Sequence, residues 1–175
     1  AKYLITDVNT QPLMAKNISL TASEGTIGSV DNYLIIDTKG PSSLTTYSMH
    51  GTYIKKPTGD LLINTMESAV GAIYLQAGGS IIRGDAEGTN IKVNQAYLIA
   101  GGNIGGPDKF LETEINRLSA IAANIEESGG IWINNEGNLT TEKISAKDDI
   151  HLNNSGNLYI SLLNGERAFA TSEGG

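Results

Sequence analysis

The segment Ile131–Leu139 reads IWINNEGNL, and nineteen positions later Ile150–Leu158 reads IHLNNSGNL. Each copy begins with apolar residues at alternate positions and ends in Gly-Asn-Leu. A short, fixed period is typical of stacked units that bury their apolar faces only against one another. The repeat therefore predicts a solenoid, and it favours a structural role over an enzymatic one.

Two longer echoes extend the pattern. Gly25–Gly28 (GTIG) matches Gly102–Gly105 (GNIG) at an offset of 77 residues, and Gly59–Leu61 meets Gly137–Leu139 at an offset of 78. Both offsets are close to four units of nineteen residues. They predict that the matching segments occupy equivalent positions in different coils.

Short runs of alternating apolar and polar residues recur along the whole chain. Period two over three to five residues predicts strands with one buried face, and the Gly, Asn and Ser pairs between them supply tight turns. Since no helical crossovers intervene, the sequence predicts an all-β parallel β-helix over residues 1–175, with coils of about 19–23 residues. Some nine coils of nineteen residues would make a rod on the order of 40 Å long. The runs are Ile18–Ala22, Leu34–Ile36, Leu61–Ile63, Ile73–Ala77, Ile91–Val93, Ala96–Ala100, Ile131–Ile133, Ile150–Leu152 and Leu158–Leu162.

One stretch, 108–127, has two interpretations. Its apolar residues have the spacing of an amphipathic helix, and Asp108 is a suitable cap. The 77-residue echo, however, places the stretch opposite Asp31–Met49, which is poor helix material. Strand is therefore favoured, and a helical insertion remains the alternative. The apolar residues in question are Leu111, Ile115, Leu118, Ala122 and Ile125.

The composition of the chain argues for and against particular binding partners and cellular compartments. The chain has 175 residues, 39% of them hydrophobic, with 21 Gly, no Cys and a formal net charge of −7. An acidic surface repels phosphate backbones and anionic lipid, which argues against nucleic-acid and membrane partners. The lack of cysteine suits an exported bacterial protein, and no run of 18 apolar residues is present to span a bilayer. Because the chain begins with Ala, we expect it to be a segment of a longer protein.

Four groups of segments have a recurring pattern: Ile27–Ser29 with Leu34–Thr38, Ile104–Gly106 with Leu111–Glu114, Leu118–Ala120, and Gly130–Asn134. These segments resemble the repeats of giant bacterial exoproteins, namely the shafts of filamentous haemagglutinin-like adhesins. The resemblance covers about residues 18–163 and implies a right-handed parallel β-helix exported to the cell surface or the extracellular space. As partners we expect neighbouring coils of the same long chain, other copies of the filament, and host or bacterial surface glycans. The resemblance transfers no functional residue to this chain.

The sequence offers no constellation for catalysis, cofactor binding or metal binding. Asp148 and Asp149 are adjacent carboxylates, but strand neighbours point to opposite faces, so we interpret them as a solvated turn. His50 and His151 are isolated, which argues against a metal site. We therefore predict a shaft or spacer with no enzymatic activity and no cofactor. The alternative is a carbohydrate-binding or polysaccharide-degrading β-helix domain, since β-helices host both.

Four aromatic residues are candidates for a contact face. Trp132, Tyr74, Tyr97 and Tyr159 each lie between apolar residues that face inward, so their rings are predicted to point outward. Outward rings on a rigid sheet are able to contact sugars or a neighbouring filament. Open strand edges at the two ends of the rod further predict that the segment associates end to end.

Overall fold

The computed structural model describes residues 4–5, 12–37, 43–123 and 128–174, with only the backbone for residues 4–5. These ranges contain seventeen strands and no helix, hence no helix able to cross a membrane. All pairings between the described strands are parallel, which confirms the predicted all-β parallel β-helix. The strands are β1 Leu4–Ile5, β2 Asn17–Ala22, β3 Thr26–Ile27, β4 Leu34–Ile35, β5 Ser43–Ser48, β6 Gly51–Lys56, β7 Leu61–Ser68, β8 Ala72–Ala77, β9 Ile81–Arg83, β10 Ile91–Ala100, β11 Leu111–Ile121, β12 Ile131–Asn135, β13 Leu139–Ser145, β14 Ile150–Asn154, β15 Leu158–Ile160, β16 Leu163–Asn164 and β17 Ala168–Ser172.

The coils vary in length from one turn of the solenoid to the next. The column that runs from Thr26 to Tyr159 advances by 25, 21, 23, 22, 23 and 19 residues per coil. Elsewhere the advance reaches 26 residues, from Asn17 to Ser43, and falls to 18, from Ile150 to Ala168. The described strands make about six turns, so the prediction of nine coils of nineteen residues was wrong.

Two protruding loops lengthen the coils in the middle of the rod. Residues 84–90 occupy the place of only Asn64 and Thr65 in the preceding coil, because Arg83 pairs with Ile63 and Ile91 with Met66. Residues 105–110 likewise occupy the place of a single residue in the following coil. Such loops extrude extra residues without disturbing the register of the strands on either side.

The unequal coils put the two longer echoes out of register. Ile27 pairs with Thr52, whereas Ile104 pairs with Ile81 and Ile131, in a different column of the sheet. The expectation that the 77- and 78-residue echoes mark equivalent positions was therefore wrong. The nineteen-residue repeat does mark them, since Ile131 pairs with Ile150 and Leu139 with Leu158.

Strand β11 shows that 108–127 is not a helix in its described part. Leu111 to Thr113 pair with β12, and Arg117 to Ile121 pair with β13, so the strand crosses from one face of the coil to the next. At the crossing Asn116 and Arg117 both face outward, and the buried positions step by three instead of two. That single step produced the helix-like spacing. The strand prediction is confirmed for Leu111–Ile121, and residues 124–127, including Ile125, lie outside the described residues.

The interior of the rod is a stack of aliphatic side chains. Its members come from the inward positions of successive coils and are 0–2% exposed, so each coil is buried by its neighbours above and below. Burial of one such side chain contributes about 1.5–3 kcal/mol. The stack contains Ile27, Leu44, Ile54, Leu61, Ile63, Ile73, Leu75, Ile81, Ile91, Leu98, Ile104, Leu111, Ile131, Ile133, Leu139, Ile144, Ile150 and Leu152.

Candidate functional site

The four predicted outward aromatics lie in three separate places. Tyr74 and Tyr97 stack in one column with Tyr53, and Trp132 belongs to a second column with His151 and Phe169. Tyr159 lies in the last described coil, opposite Thr140, and is 61% exposed. The structure therefore does not assemble the four residues into one contact face.

The tyrosine ladder is formed by Tyr53, Tyr74 and Tyr97 on successive coils. Their ring centroids are 4.8 and 4.4 Å apart, and the ring planes differ by only 9° and 8°. Tyr33 packs edge-on against Tyr53 at 6.1 Å, and the Gln95 side-chain amide donates to the Tyr97 hydroxyl. Because each ring face between coils is covered by the next ring, the ladder joins coils to one another and presents mainly ring edges to solvent.

The ladder also changes the acidity of its central phenol. Partial burial, followed by the charge and hydrogen bond of Tyr97, raises the pKa of Tyr74 from 10.0 to about 12. Below pH 10 the phenol is protonated in both the folded and unfolded states. Above pH 10 the unfolded chain loses this proton first, so the unfolded state is favoured increasingly up to about pH 12.

We therefore expect the free energy of unfolding to fall between pH 10 and pH 12, and Tyr74→Phe to reduce that fall. Urea titrations at a series of pH values measure the effect directly. The matched control is Tyr159→Phe, which removes an exposed phenol outside the ladder. If Tyr74→Phe leaves the fall unchanged, the ladder does not control this ionisation.

The second aromatic column contains Trp132, His151 and Phe169. The Trp132 and His151 rings are 6.2 Å apart at 10°, and His151 and Phe169 are 4.7 Å apart at 18°. Phe110, at the end of loop 105–110, meets His151 edge-on at 6.3 Å. His151 points outward as predicted, but its ring lies between two others, so it contributes to the stack of coils.

Beside this column runs an outer polar ladder of Glu112, Asn134, Asn153 and Thr171. The Thr171 hydroxyl donates to Asn153 at 2.9 Å, and the Asn153 amide donates to Asn134 at 2.9 Å. The Asn134 amide in turn donates to Glu112 at 3.0 Å, and Arg83 donates to the same carboxylate oxygen at 3.1 Å. The Asn134 and Asn153 amides thus stack along the axis, and the ladder extends over four successive coils.

Shallow grooves follow the outer polar ladder between the two loops and towards the last coil. Two of about 360 Å³ share Arg83, Glu112 and Asn134 in their walls, and one of about 310 Å³ continues past Asn153 to Glu173. Lys109 bridges the loops through an ion pair with Asp85 at 3.2 Å. The polar groups that line the grooves are thus largely engaged with one another across the coils.

Sequence reasoning missed an inner asparagine ladder. The side-chain oxygen of Asn135 accepts from the Thr113 hydroxyl at 2.9 Å and from the Ile115 backbone N–H at 2.8 Å. Its amide donates to Asn154 at 2.9 Å, and the Asn154 amide donates to the carbonyl of Asn157 at 3.1 Å. Both asparagines are nearly fully buried. The signal was available, because Asn135 continues the inward alternation of Ile131 and Ile133.

The remaining polar candidates are engaged in local structure. Asp148 accepts from the backbone N–H of Gly129 at 2.9 Å. Asp149 pairs with Arg167 at 2.9 Å, and this hydrogen bond lowers the pKa of the carboxyl group. His50 lies in an exposed bend between β5 and β6. In the described part of the chain, no group of three or more His, Asp or Glu residues is placed to hold a metal ion.

Together these features define the class of the protein as a parallel β-solenoid whose coils are joined by side-chain ladders inside and outside. No protein-family model, curated protein or solved structure matches this chain.

Proposed function

We propose that this chain is a structural shaft: a stiff, non-enzymatic spacer within a large filamentous protein exposed on, or secreted by, a bacterial cell. One observation carries the proposal. The aromatic columns and the outer polar ladder contain the side chains that would otherwise form a ligand site. These side chains contact one another between successive coils. A segment built this way resists bending and separation of its coils, as a spacer must.

The geometry of the rings supports this role. A sugar binds an aromatic side chain through the ring face, but the faces of Tyr74 and His151 are covered on both sides by stacked rings. The carboxylate of Glu112 is similarly held by Arg83 and Asn134. These side chains are therefore poorly placed to contact a glycan or to act in polysaccharide cleavage.

The proposed location and partners rest on composition and resemblance. A net charge of −7 disfavours nucleic acid and anionic membranes, and the lack of cysteine suits export. The repeats resemble adhesin shafts. In such proteins the regions that bind receptors lie outside the shaft. The partners that fit a shaft are neighbouring coils of a longer chain and other copies of the filament.

A distance measurement between spin labels tests the stiffness of the rod. Because the chain has no cysteine, Thr26→Cys and Tyr159→Cys place labels at two outward positions of one column, six coils apart. At a strand spacing of about 4.8 Å, we expect their backbones to be roughly 29 Å apart, with a narrow distribution. The pair Thr26→Cys and Thr140→Cys should be shorter by one coil, about 5 Å.

Labelled protein is diluted into unlabelled protein so that only distances within one chain are measured. A broad distribution, or two label pairs that fail to differ by one coil spacing, would contradict the proposed shaft. Specific catalytic turnover of a polysaccharide by the purified chain would contradict it independently.

A further inference from the structure

Four hydroxyl groups cluster inside the rod, where the coil of β5 and β6 meets the coil of β7 and β8. They belong to Thr46, Ser48, Thr52 and Ser68, which are 0–4% exposed. We call them the hydroxyl cluster. The preceding coil covers it with β2 and β3, and the following coil covers it with β10. The cluster therefore lies within the stack of described coils, and its burial does not depend on either end of the rod.

The pairing of the strands brings the four side chains together. Ser48 follows Thr46 by two residues on β5, so both point inward, and Ser48 pairs with Ser68 on β7. At the spacings of a parallel sheet, the two residues on β5 are about 6.6 Å apart and the two on paired strands about 4.8 Å. Thr52 joins them from β6, across the turn, because its hydroxyl oxygen is 3.0 Å from that of Ser48.

Two of the four hydroxyl groups have no hydrogen-bond partner. The Ser48 and Thr52 hydroxyl groups bond to each other, whereas the side-chain oxygens of Thr46 and Ser68 are buried and bond to no described group. A buried polar group without a partner is unfavourable, and nearly all such groups in proteins are satisfied by protein atoms or by ordered water. Two unpartnered hydroxyl groups on adjacent coils therefore point to a partner that they share.

The column through Ser48 and Ser68 has its smallest side chains at this place. Ala22 pairs with Ser48 from the preceding coil, and after Ser68 the register of β7 and β10 continues the column with Val93 and then Ile115. The longer side chains fill more of the interior in the later coils than the two serines do here. A buried water molecule requires such space and two to four polar partners.

From these observations we infer that the hydroxyl cluster binds one internal water molecule. A hydroxyl group donates one hydrogen bond and accepts others, and a water molecule both accepts and donates two. The Thr46 and Ser68 hydroxyl groups donate to the water oxygen, and the water donates to the pair formed by Ser48 and Thr52. The water satisfies both unpartnered groups and links two successive coils from the inside. This binding site is additional to the proposed shaft and does not depend on that role.

Oxygen-17 relaxation dispersion of the solvent tests the inference, because it counts the water molecules held inside a protein and is insensitive to the exchange of hydroxyl protons. The unmodified full chain is compared with Thr46→Val and with Ser68→Ala. Each substitution removes one hydroxyl group from the cluster without adding a larger side chain. We expect each variant to hold one internal water molecule fewer than the unmodified chain.

Thr141 provides the matched control. It is fully buried and its side-chain oxygen also has no partner, but its neighbours on the inner face, Leu118 and Leu139, are apolar. Thr141→Val should therefore leave the number of internal water molecules unchanged. Its midpoint of urea unfolding should stay the same or rise, because a methyl group of similar size replaces an unpartnered hydroxyl group. The midpoints of Thr46→Val and Ser68→Ala should fall, because the remaining hydroxyl groups lose the water that they share.

An unchanged water count in the cluster variants would overturn the inference, and so would the loss of a water molecule from Thr141→Val. A midpoint that rises for Thr46→Val as it does for Thr141→Val would also overturn it, since the Thr46 hydroxyl group would then have no bound partner. If one cluster variant does not fold, the other gives the same comparison. The spin-label distances test the shaft separately from all of these results.

Discussion

Replacing Gly105 with Ala is expected to destabilise the fold by about 3–5 kcal/mol, one of the largest effects of any single methyl group in this chain. Gly105 has φ +70°, a region that costs a residue with a Cβ about 1–2 kcal/mol. A Cβ at this position would also lie well inside van der Waals contact of the backbone carbonyl oxygen of Trp132. That carbonyl belongs to the next coil, so relief of the clash requires the two coils to separate locally.

Two neighbouring glycines separate the components of this effect. Gly88 has φ +83° with no atom near its missing Cβ, so Gly88→Ala should cost only the backbone strain of about 1–2 kcal/mol. Gly106 has neither a positive φ nor a close atom, so Gly106→Ala should change the stability by less than about 0.5 kcal/mol. Urea unfolding followed by the fluorescence of Trp132, the single tryptophan, measures all three. If Gly105→Ala costs no more than Gly88→Ala, the coils do not approach each other as closely as described.

The alternation of apolar residues was sufficient to predict the class of fold. Residues such as Ile131 and Ile133 alternate because a strand places successive side chains on opposite faces, and the nineteen-residue repeat adds that such strands stack in parallel. Both inferences depend on local rules, so they hold for each coil separately. The register of distant coils does not follow from them.

Register was unpredictable because it depends on where the chain leaves the coil. Loops 84–90 and 105–110 contain more residues than the matching places in the adjacent coils, so counting along the sequence loses phase at each loop. The 77-residue echo is a coincidence of turn sequences, because three coils carry the column of Ile27 to Ala96, and Ile104 lies eight residues further along the same coil. It nevertheless led to the right conclusion for Leu111–Ile121, whose helix-like spacing arises from two outward residues, Asn116 and Arg117, at a crossing between faces.

The sequence was sufficient to predict that the candidate aromatic side chains point outward, but not how they are arranged relative to one another. The alternation correctly predicts that Trp132 and Tyr74 point away from the core, yet it does not specify which ring stacks on which. That depends on register: Tyr74 meets Tyr53 and Tyr97 because their coils align, whereas Tyr159 lies in another column. In a solenoid, a side chain that the sequence predicts to point into solvent therefore often contacts the equivalent side chain of the next coil.

The second large effect is expected for Asn135→Ala, at about 3–5 kcal/mol of lost stability. The substitution removes the acceptor of the Ile115 backbone N–H and the donor to Asn154, both of which are inside the rod. A buried polar group left without a partner costs about 1–3 kcal/mol, and the small cavity adds to this. Water reaches this interior poorly, since Asn135 is only 4% exposed. Equilibrium unfolding in urea is the measurement.

Asn134 provides the matched control, because it is the adjacent residue and makes the same kind of amide ladder on the outer surface. Solvent replaces the lost hydrogen bonds there, so Asn134→Ala should cost less than about 1 kcal/mol. Double-mutant cycles sharpen the comparison: Asn135 with Asn154 should show a coupling of about 1 kcal/mol or more, and Asn134 with Asn153 less than about 0.5 kcal/mol. Equal costs for the two single substitutions would mean that the inner ladder is hydrated and does not hold the coils together. The expected inequality would mean that one repeated Asn-Asn pair has two roles, with its inner member fixing the register of the stack.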